Sequence, residues 1–187
     1  DNSYSYYDIF WVGLCITGTL VMFISLFSPI NIFVLAFFVL VTLVYWIFSK
    51  SERLRLKTAI TSGFRSSFLA QKAILAITGL VILILAMQAP WLGDYGLYYL
   101  QSMMWTEGYS VVPGLGNLHG RLAFNSSFHL LSTLFSYHPE FYSPFFPLNS
   151  LCLFVFLGWL ISKMREVSSI AKAGILVIII LMVSLFK

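Results

Sequence analysis

The fold class of this chain follows from one stretch, IFWVGLCITGTLVMFISLFSPINIFVLAFFVLVTLVYWIF, which runs from Ile9 to Phe48. It contains two apolar runs, and the first is long enough as a helix to cross about 30 Å of hydrocarbon. The residues Ser28-Pro29-Ile30-Asn31 separate the runs, and a proline cannot continue a helical hydrogen-bond ladder. Two spanning helices, 9–27 and 32–48, are therefore predicted as a hairpin, and one long kinked helix is the alternative.

The composition of the chain is that of a membrane protein. Of its 187 residues, 59% are hydrophobic and 10% are charged, and the mean hydropathy is +0.90. A soluble domain has roughly a quarter of its residues charged, so lipid must cover this one. The net charge of +4 gives no indication of nucleic-acid binding, because the placement of positive residues is what matters in a membrane protein.

Three further apolar runs follow along the chain, at 73–89, 148–162 and 173–186. An all-α integral membrane protein with about five transmembrane helices in a single domain, 1–187, is therefore predicted. The linkers 49–72 and 163–172 hold six and three of the eleven lysines and arginines, which places both basic loops in the cytoplasm. Residues 90–147, here called the polar segment, then form one long extracytoplasmic loop with interfacial helices, also in the kinked-helix alternative.

The polar segment holds most of the polar chemistry of the chain, including all three histidines. It opens with WLGDYGLYYLQSMMWTEGY, in which Asp94 follows the third predicted span. Aromatic and polar residues mix from Asp94 to Trp105, which predicts an interfacial helix along the membrane with Tyr98 in its aromatic belt. Glu107 and Gly108 end this helix.

The second half of the polar segment contains PGLGNLHGRLAFNSS, Pro113 to Ser127. Pro113 and Gly114 break the chain, and Gly116 and Gly120 permit positive φ or close backbone approach, so we expect a tight loop around an anion, with His119 and Arg121 on it. Asn125 is placed to cap a helix from Ser126 to Phe135, whose free N–H groups favour the same anion. A phosphate or pyrophosphate at the interface is the ligand that this pattern indicates.

Each of these residues also fits a purely structural role. Asp94 fits a helix-end cap or a solvated loop acid, and His119 and Arg121 fit contacts to lipid headgroups. His129, in the run FHLLSTLF, is typical of a buried histidine whose hydrogen bonds are satisfied. The three histidines lack the i, i+4 spacing of a helical zinc site, so no metal site or other cofactor is predicted.

The order of these features resembles the first extracytoplasmic loop of GT-C membrane glycosyltransferases. An acid after a span, Asp94, precedes an aromatic helix (YYLQSMMW), a loop rich in glycine and proline, and the next helix. The segment PGLGNLHGRLAFNSS is similar to one in an uncharacterised bacterial multi-spanning family related to these enzymes. The resemblance covers about 73–135 and implies inverting transfer of a sugar from a polyprenyl-phosphate donor to an extracytoplasmic acceptor, in the bacterial inner membrane.

The resemblance also implies roles for individual residues. Asp94 would be the general base, because a carboxylate must take the acceptor proton as the bond forms. Arg121 and His119 would stabilise the departing lipid phosphate, where negative charge develops. The predicted substrate-binding residues are His119, Arg121, Asn125, Glu107 and Tyr98. The expected partners are membrane lipid, a lipid-linked sugar and other membrane-protein subunits, with no nucleic acid.

The chain also departs from the GT-C pattern. GT-C enzymes are usually longer and have more spans, and Asp94 lacks the Asp-Glu or Asp-x-Asp pairing of many members. The chain therefore resembles a partial or truncated member, and a non-catalytic membrane subunit that binds a lipid or a partner protein is the alternative function. A transporter or channel has little support, because no ionisable residue lies at the centre of a predicted span.

Overall fold

The computed structural model describes residues 5–66, 69–87, 99–123, 126–136, 147–164 and 167–185. Within these ranges every regular element is helical, which confirms the all-α fold. The α-helices are α1 (Tyr6–Ser25), α2 (Ile32–Phe48), α3 (Lys50–Ser66), α4 (Leu69–Ala86), α5 (Leu100–Gly108), α6 (Leu115–Leu118), α7 (Ser127–Leu134), α8 (Pro147–Lys163) and α9 (Ser169–Leu185). A 3₁₀ turn, Gly120–Ala123, lies between α6 and α7.

The predicted break between the first two helices is present. α1 starts with a capping box, in which Ser5 is the N-cap and its own N–H donates to Asp8 Oδ2 at 3.0 Å. α1 ends at Ser25. α2 begins and ends at the predicted residues. It begins there because Asn31 caps its first turn by accepting a hydrogen bond from the Phe33 N–H at 3.1 Å.

The chain reverses direction after α1, so that α2 runs back toward the start of α1 as in the predicted hairpin. The Tyr6 hydroxyl donates to the Arg55 carbonyl oxygen at 3.4 Å, so α3, which follows α2, returns to the first turn of α1. A second contact joins the start of α4 to the end of α8, where the Gln71 side-chain amide donates to the Ile161 carbonyl oxygen at 3.2 Å. α8 also meets the first turn of α1 at Gly158. The residues that border both basic linkers therefore lie at one end of the helices.

The segment 49–72, expected as a basic loop, is largely helical. α3 occupies residues 50–66, and its first half meets α2 at 92° beside Ser49. The predicted span ends at Phe48 because the residues that follow are polar, but polar residues do not by themselves disfavour a helix. Lysine, arginine, glutamate and leucine, which dominate its first half, are strong helix formers.

The polar segment packs deep against the hairpin. On α1, a Cβ atom added to Gly18 would lie 3.0 Å from Leu131 Cδ1 of α7, so the two helices approach closely. The buried residues around this contact, here called the hairpin cluster, are Val21, Ile30, Val34, Leu130, Leu131, Leu134 and Leu148. A second buried cluster joins α4, α8 and α9 through Ile82, Leu157, Ile161, Met164 and Ile179. α7 therefore lies at the centre of the half of the molecule that contains the α1–α2 turn.

One or two helices of the described residues are long and apolar enough to cross a membrane. α1 passes this test alone, and α2 passes it only together with Lys50–Thr58, across the 92° bend. The other apolar helices are shorter, at Gln71–Ala86, Pro147–Lys163 and Ser169–Val183. The arrangement with five spans, and its placement in a bacterial inner membrane, stay predictions.

Two local expectations concern the ends of helices in the polar segment. The first five residues of the helix expected from Asp94 to Trp105 lie outside the described residues, and α5 covers its remainder from Leu100 to the expected end at Gly108. α7 begins at Ser127 and its N-cap is Ser126, whose hydroxyl accepts a hydrogen bond from the His129 N–H at 3.1 Å. The cap was expected one position earlier. A serine hydroxyl satisfies a free first-turn N–H as well as an asparagine does.

Candidate functional site

A cavity of about 240 Å³ lies where the polar segment meets the end of α1. Two backbone hydrogen bonds of 2.9 Å hold the segment there, from the Ile30 N–H to the Thr106 carbonyl oxygen and from the Val111 N–H to the Ser25 carbonyl oxygen. The cavity is lined by Ser25, Ser102, Trp105, Thr106, Tyr109, Ser110, Val111, Val112, Gly114, Leu115, Gly116, Leu122, His129 and Leu130. The PGLG part of the polar segment therefore forms a wall of the cavity.

Gly114 turns the chain along this wall. Its φ is 82°, in the left-handed region, where a residue with a side chain is disfavoured by about 1–2 kcal/mol. The turn lets the Gly114 carbonyl oxygen accept from the Asn117 N–H at 2.9 Å, which starts the short helix α6. Positive φ was expected at Gly116 or Gly120, but among the described glycines it occurs at Gly114, because Gly116 lies within α6 and Gly120 within the 3₁₀ turn.

His129 and Ser102 join α7 to α5 across the cavity wall. His129 Nε2 lies 3.1 Å from Ser102 Oγ, within hydrogen-bond distance. The ring of Tyr99 lies beside the imidazole, with 6.1 Å between centroids. Burial lowers the pKa of His129 below its usual 6.5, because desolvation disfavours the charged form. His129 is therefore neutral at pH 7 and offers a single N–H donor and one nitrogen acceptor.

The hydroxyl groups of the cavity are oriented by their own helices. The Thr106 hydroxyl donates to the Ser102 carbonyl oxygen at 2.9 Å, and the Ser25 hydroxyl donates to the Met22 carbonyl oxygen at 2.7 Å. A hydroxyl has one donor and two acceptor lone pairs, so both oxygens can still accept hydrogen bonds. The cavity is thereby suited to a ligand that donates O–H groups.

The cavity is also without formal charge. No Asp, Glu, Lys or Arg is found among its lining residues that the structure describes, and His129 is neutral. Trp105 and Tyr109 add two neighbouring aromatic rings, with 5.2 Å between centroids. Three or more His, Cys, Asp or Glu side chains placed to share a metal ion do not occur within the described ranges. The cavity is therefore suited to a neutral ligand that carries hydroxyl groups.

His119 and Arg121 lie together, as the sequence predicts, on the exposed surface of the polar segment. His119 Nδ1 accepts a hydrogen bond from the Arg121 backbone N–H at 3.2 Å. Neither residue lines the cavity, but Leu122, the next residue, does. This exposed pair is therefore adjacent in sequence to the cavity wall, and its role in binding phosphate stays a prediction.

Of the other predicted site residues, the structure describes Glu107, which does not line the cavity. Glu107, on α5, is half-buried, and its Oε1 accepts a hydrogen bond from the Ser136 hydroxyl at 3.2 Å. This contact ties the end of α5 to the residues after α7. Asp94, Tyr98 and Asn125 lie outside the described residues. Their predicted roles stay predictions.

Sequence reasoning missed the functional potential of His129 and Ser102. The expectation of a largely buried, hydrogen-bonded histidine agrees with the structure, but its position on a cavity wall was not foreseen. The two residues are 27 positions apart and belong to no motif. The one available signal was a histidine at the third position of a short apolar helix, which also fits an ordinary core residue.

Comparison with known proteins gives a family and no function. Neither the search of curated proteins nor the search of solved structures gave a significant match. The model of one protein family, described as a domain of unknown function, DUF8201, matches residues 1–187. The chain therefore belongs to the DUF8201 family.

Proposed function

We propose that this chain is a five-span domain of the bacterial inner membrane that transfers a sugar from a polyprenyl-phosphate donor to an extracytoplasmic acceptor, in the manner of GT-C enzymes. The neutral cavity is the observation that carries the proposal. Its hydroxyl oxygens and the His129 imidazole suit the O–H groups at the rim of a sugar ring. Trp105 and Tyr109 supply the apolar aromatic surface against which the ring would pack.

The phosphate of the donor is assigned to a different place. A phosphate inside an uncharged cavity would be desolvated without a partner, which is strongly unfavourable. Arg121 and His119 lie on the exposed surface, next to the cavity residue Leu122. A guanidinium is well suited to a phosphate, because it presents several N–H donors in one plane. The sugar in the cavity and the phosphate at Arg121 form one continuous site.

The transfer step follows from the predicted role of Asp94, which rests on the GT-C resemblance. Its carboxylate takes the proton of the acceptor hydroxyl as the acceptor oxygen bonds to the anomeric carbon. The bond from that carbon to the phosphate oxygen breaks on the opposite face, and its electron pair leaves with the polyprenyl phosphate. Arg121 and His119 stabilise this charge. Attack opposite the leaving group inverts the anomeric configuration.

The proposed spans are α1, α2, α4, α8 and α9. Large apolar side chains on these helices are exposed, for example Phe33 at 78% and Ile170 at 87%, and extensive apolar surface of this kind requires a covering. A helix of 17 residues is about 25 Å long, a length that a bilayer accommodates by local thinning. The two basic linkers border the same end of the helices, which supports a cytoplasmic location for both.

Cysteine accessibility tests this topology. In a background in which Cys15 and Cys152 are replaced by alanine, Asn117→Cys on α6 should react with a membrane-impermeant thiol reagent in intact cells. Ser51→Cys on α3 should react only after permeabilisation. Both positions are exposed, so burial does not confound the comparison. The reverse labelling pattern would invert the topology, and reaction of both in intact cells would contradict it.

Removal of one cavity hydroxyl tests the sugar site. Thr106→Val keeps the shape of the side chain but removes an acceptor oxygen, so we expect donor binding to weaken by about 0.5–1.5 kcal/mol, or roughly 2–13-fold in Kd. Titration of the purified chain with a panel of polyprenyl-phosphate hexoses and pentoses measures the change.

Thr133 offers a matched control for this change. Its hydroxyl makes the same type of bond within a helix, to the His129 carbonyl oxygen at 3.0 Å, but it does not line the cavity. Thr133→Val should leave donor binding unchanged. Equal losses from both variants would indicate a general effect on folding and contradict the sugar site. If the wild type bound no donor, the non-catalytic subunit would replace the enzyme as the better proposal.

A further inference from the structure

The bend between α2 and α3 coincides with a band of aromatic residues. α2 ends with Tyr45, Trp46 and Phe48, all of which are exposed, and aromatic residues of this kind mark the membrane–water interface. The helix breaks at Ser49, whose φ and ψ of −91° and 77° are not helical. α3 then leaves at 92°. If α2 runs along the membrane normal, the first half of α3 lies along the membrane surface.

The basic residues of α3 are not distributed evenly around the helix. Lys50, Arg53 and Lys57 have the spacing i, i+3, i+7, which places them on one face. Leu54 and Leu56 flank that face on either side by helical geometry, and both are exposed, at 55% and 43%. A cationic stripe between two apolar edges is typical of helices that lie in the headgroup region of a membrane.

Two contacts show how this face is oriented. The Arg53 guanidinium carbon lies 6.0 Å from the centroid of the Trp46 ring, so the basic face points toward the end of α2 and hence toward the bilayer. Arg55 lies on the opposite side, where it pairs with Glu52 at 3.1 Å. Glu52 therefore pairs away from the stripe, and within the part of the chain that the structure describes no ion pair joins an acid to Lys50, Arg53 or Lys57.

We infer that the stripe Lys50–Arg53–Lys57 of α3 binds the headgroups of anionic phospholipids at the cytoplasmic surface. Leu54 and Leu56 are then inserted at the boundary between the headgroups and the acyl chains. The stripe matches these headgroups in charge, because it is positive and they are negative. It also matches them in depth, because the aromatic end of α2 places α3 at the level of the headgroup phosphates. Such binding fixes the depth and rotation of α2, whose other end carries the turn beside the cavity. The inference rests on the proposed membrane topology but not on sugar transfer.

Lipid selectivity of the full chain tests this inference. The purified protein is placed in neutral detergent with equal amounts of phosphatidylglycerol and phosphatidylcholine of the same acyl chains, and native mass spectrometry gives the ratio of the two bound lipids. We expect the wild type to retain phosphatidylglycerol preferentially. Lys50→Gln/Arg53→Gln/Lys57→Gln should lower the ratio by about fivefold per charge removed, and added salt should act in the same direction.

Variants of the same helix provide the controls. Arg55→Gln removes one cation from the opposite face and should leave the ratio near that of the wild type. Lys50→Arg/Lys57→Arg keeps the charge and should keep the preference. Circular dichroism reports whether the triple variant is folded, and the single change Lys57→Gln replaces it if it is not. A wild type without preference, or an unchanged ratio in the folded variants, would overturn the inference.

Discussion

Replacement of Asp94 by asparagine is expected to lower the rate of sugar transfer by about 10²–10⁴-fold, the usual range for loss of a general base. Asparagine keeps the size and shape of the side chain but cannot take the acceptor proton. Donor binding should change little, because the donor is assigned to the cavity and to Arg121. The measurement is transfer from a lipid-linked sugar in membranes that contain the longest natural form of the protein.

A matched acid separates catalysis from general effects of lost charge. Glu52→Gln removes a carboxylate of α3 that pairs with the exposed Arg55 and does not line the cavity, so its transfer rate should equal that of the wild type. Both variants must be present in equal amount and melt at the same temperature. Near-normal transfer by Asp94→Asn would remove this residue as the base. Transfer by neither variant nor wild type would favour the non-catalytic subunit.

Replacement of Gly79 by leucine is expected to have the largest effect on stability of the changes proposed here. Even a Cβ atom at this position of α4 would lie 2.9 Å from Phe154 Cε2 of α8, closer than side chains normally approach. Gly79→Leu must therefore displace the phenylalanine ring or separate the two helices. Overpacking of this kind costs about 1–3 kcal/mol and occasionally more. Thermal unfolding in detergent measures it as a fall in Tm.

Gly174 provides a control with the opposite expected sign. It lies within α9, and a Cβ atom added there would meet nothing within 4 Å. Gly174→Leu should therefore stabilise the helix by up to about 0.8 kcal/mol, because glycine is a poor helix former. An equal fall in Tm for both variants would show that leucine is tolerated poorly for another reason, and would contradict close packing of α4 on α8.

The helices of the apolar runs could be predicted because each is coded locally. Pro29 marks the break that was predicted between α1 and α2, and the structure has the break there, with Asn31 as the cap of α2. The helix α3 could not be recognised by hydropathy, since its helix formers are charged. The packing of α7 against Gly18 was also beyond prediction. More than a hundred positions separate the two residues, and no local pattern pairs them.

The candidate site was predictable only in part, for a similar reason. His119 and Arg121 are two positions apart, so a tight glycine-containing turn was enough to bring them together. The cavity depends on Ser102 and His129, which meet only because α5 and α7 pack side by side. Its neutral character arises because its described lining residues include no Asp, Glu, Lys or Arg and because burial keeps His129 uncharged, and both depend on tertiary packing. The predicted phosphate chemistry therefore fits the exposed surface, while the cavity itself suits a hydroxylated ligand.

The central position of α7 has a consequence for biogenesis. α1 and α2 emerge from the ribosome roughly a hundred residues before α7, which at ordinary rates of synthesis corresponds to about 5–20 s. During that interval Val21 and Val34 have not yet acquired Leu130, Leu131 and Leu134, the α7 residues of the hairpin cluster. Closure of so long a loop delays such contacts. The hairpin cluster can therefore be completed only after α7 has been synthesised, and until then the apolar faces of α1 and α2 that α7 covers stay exposed.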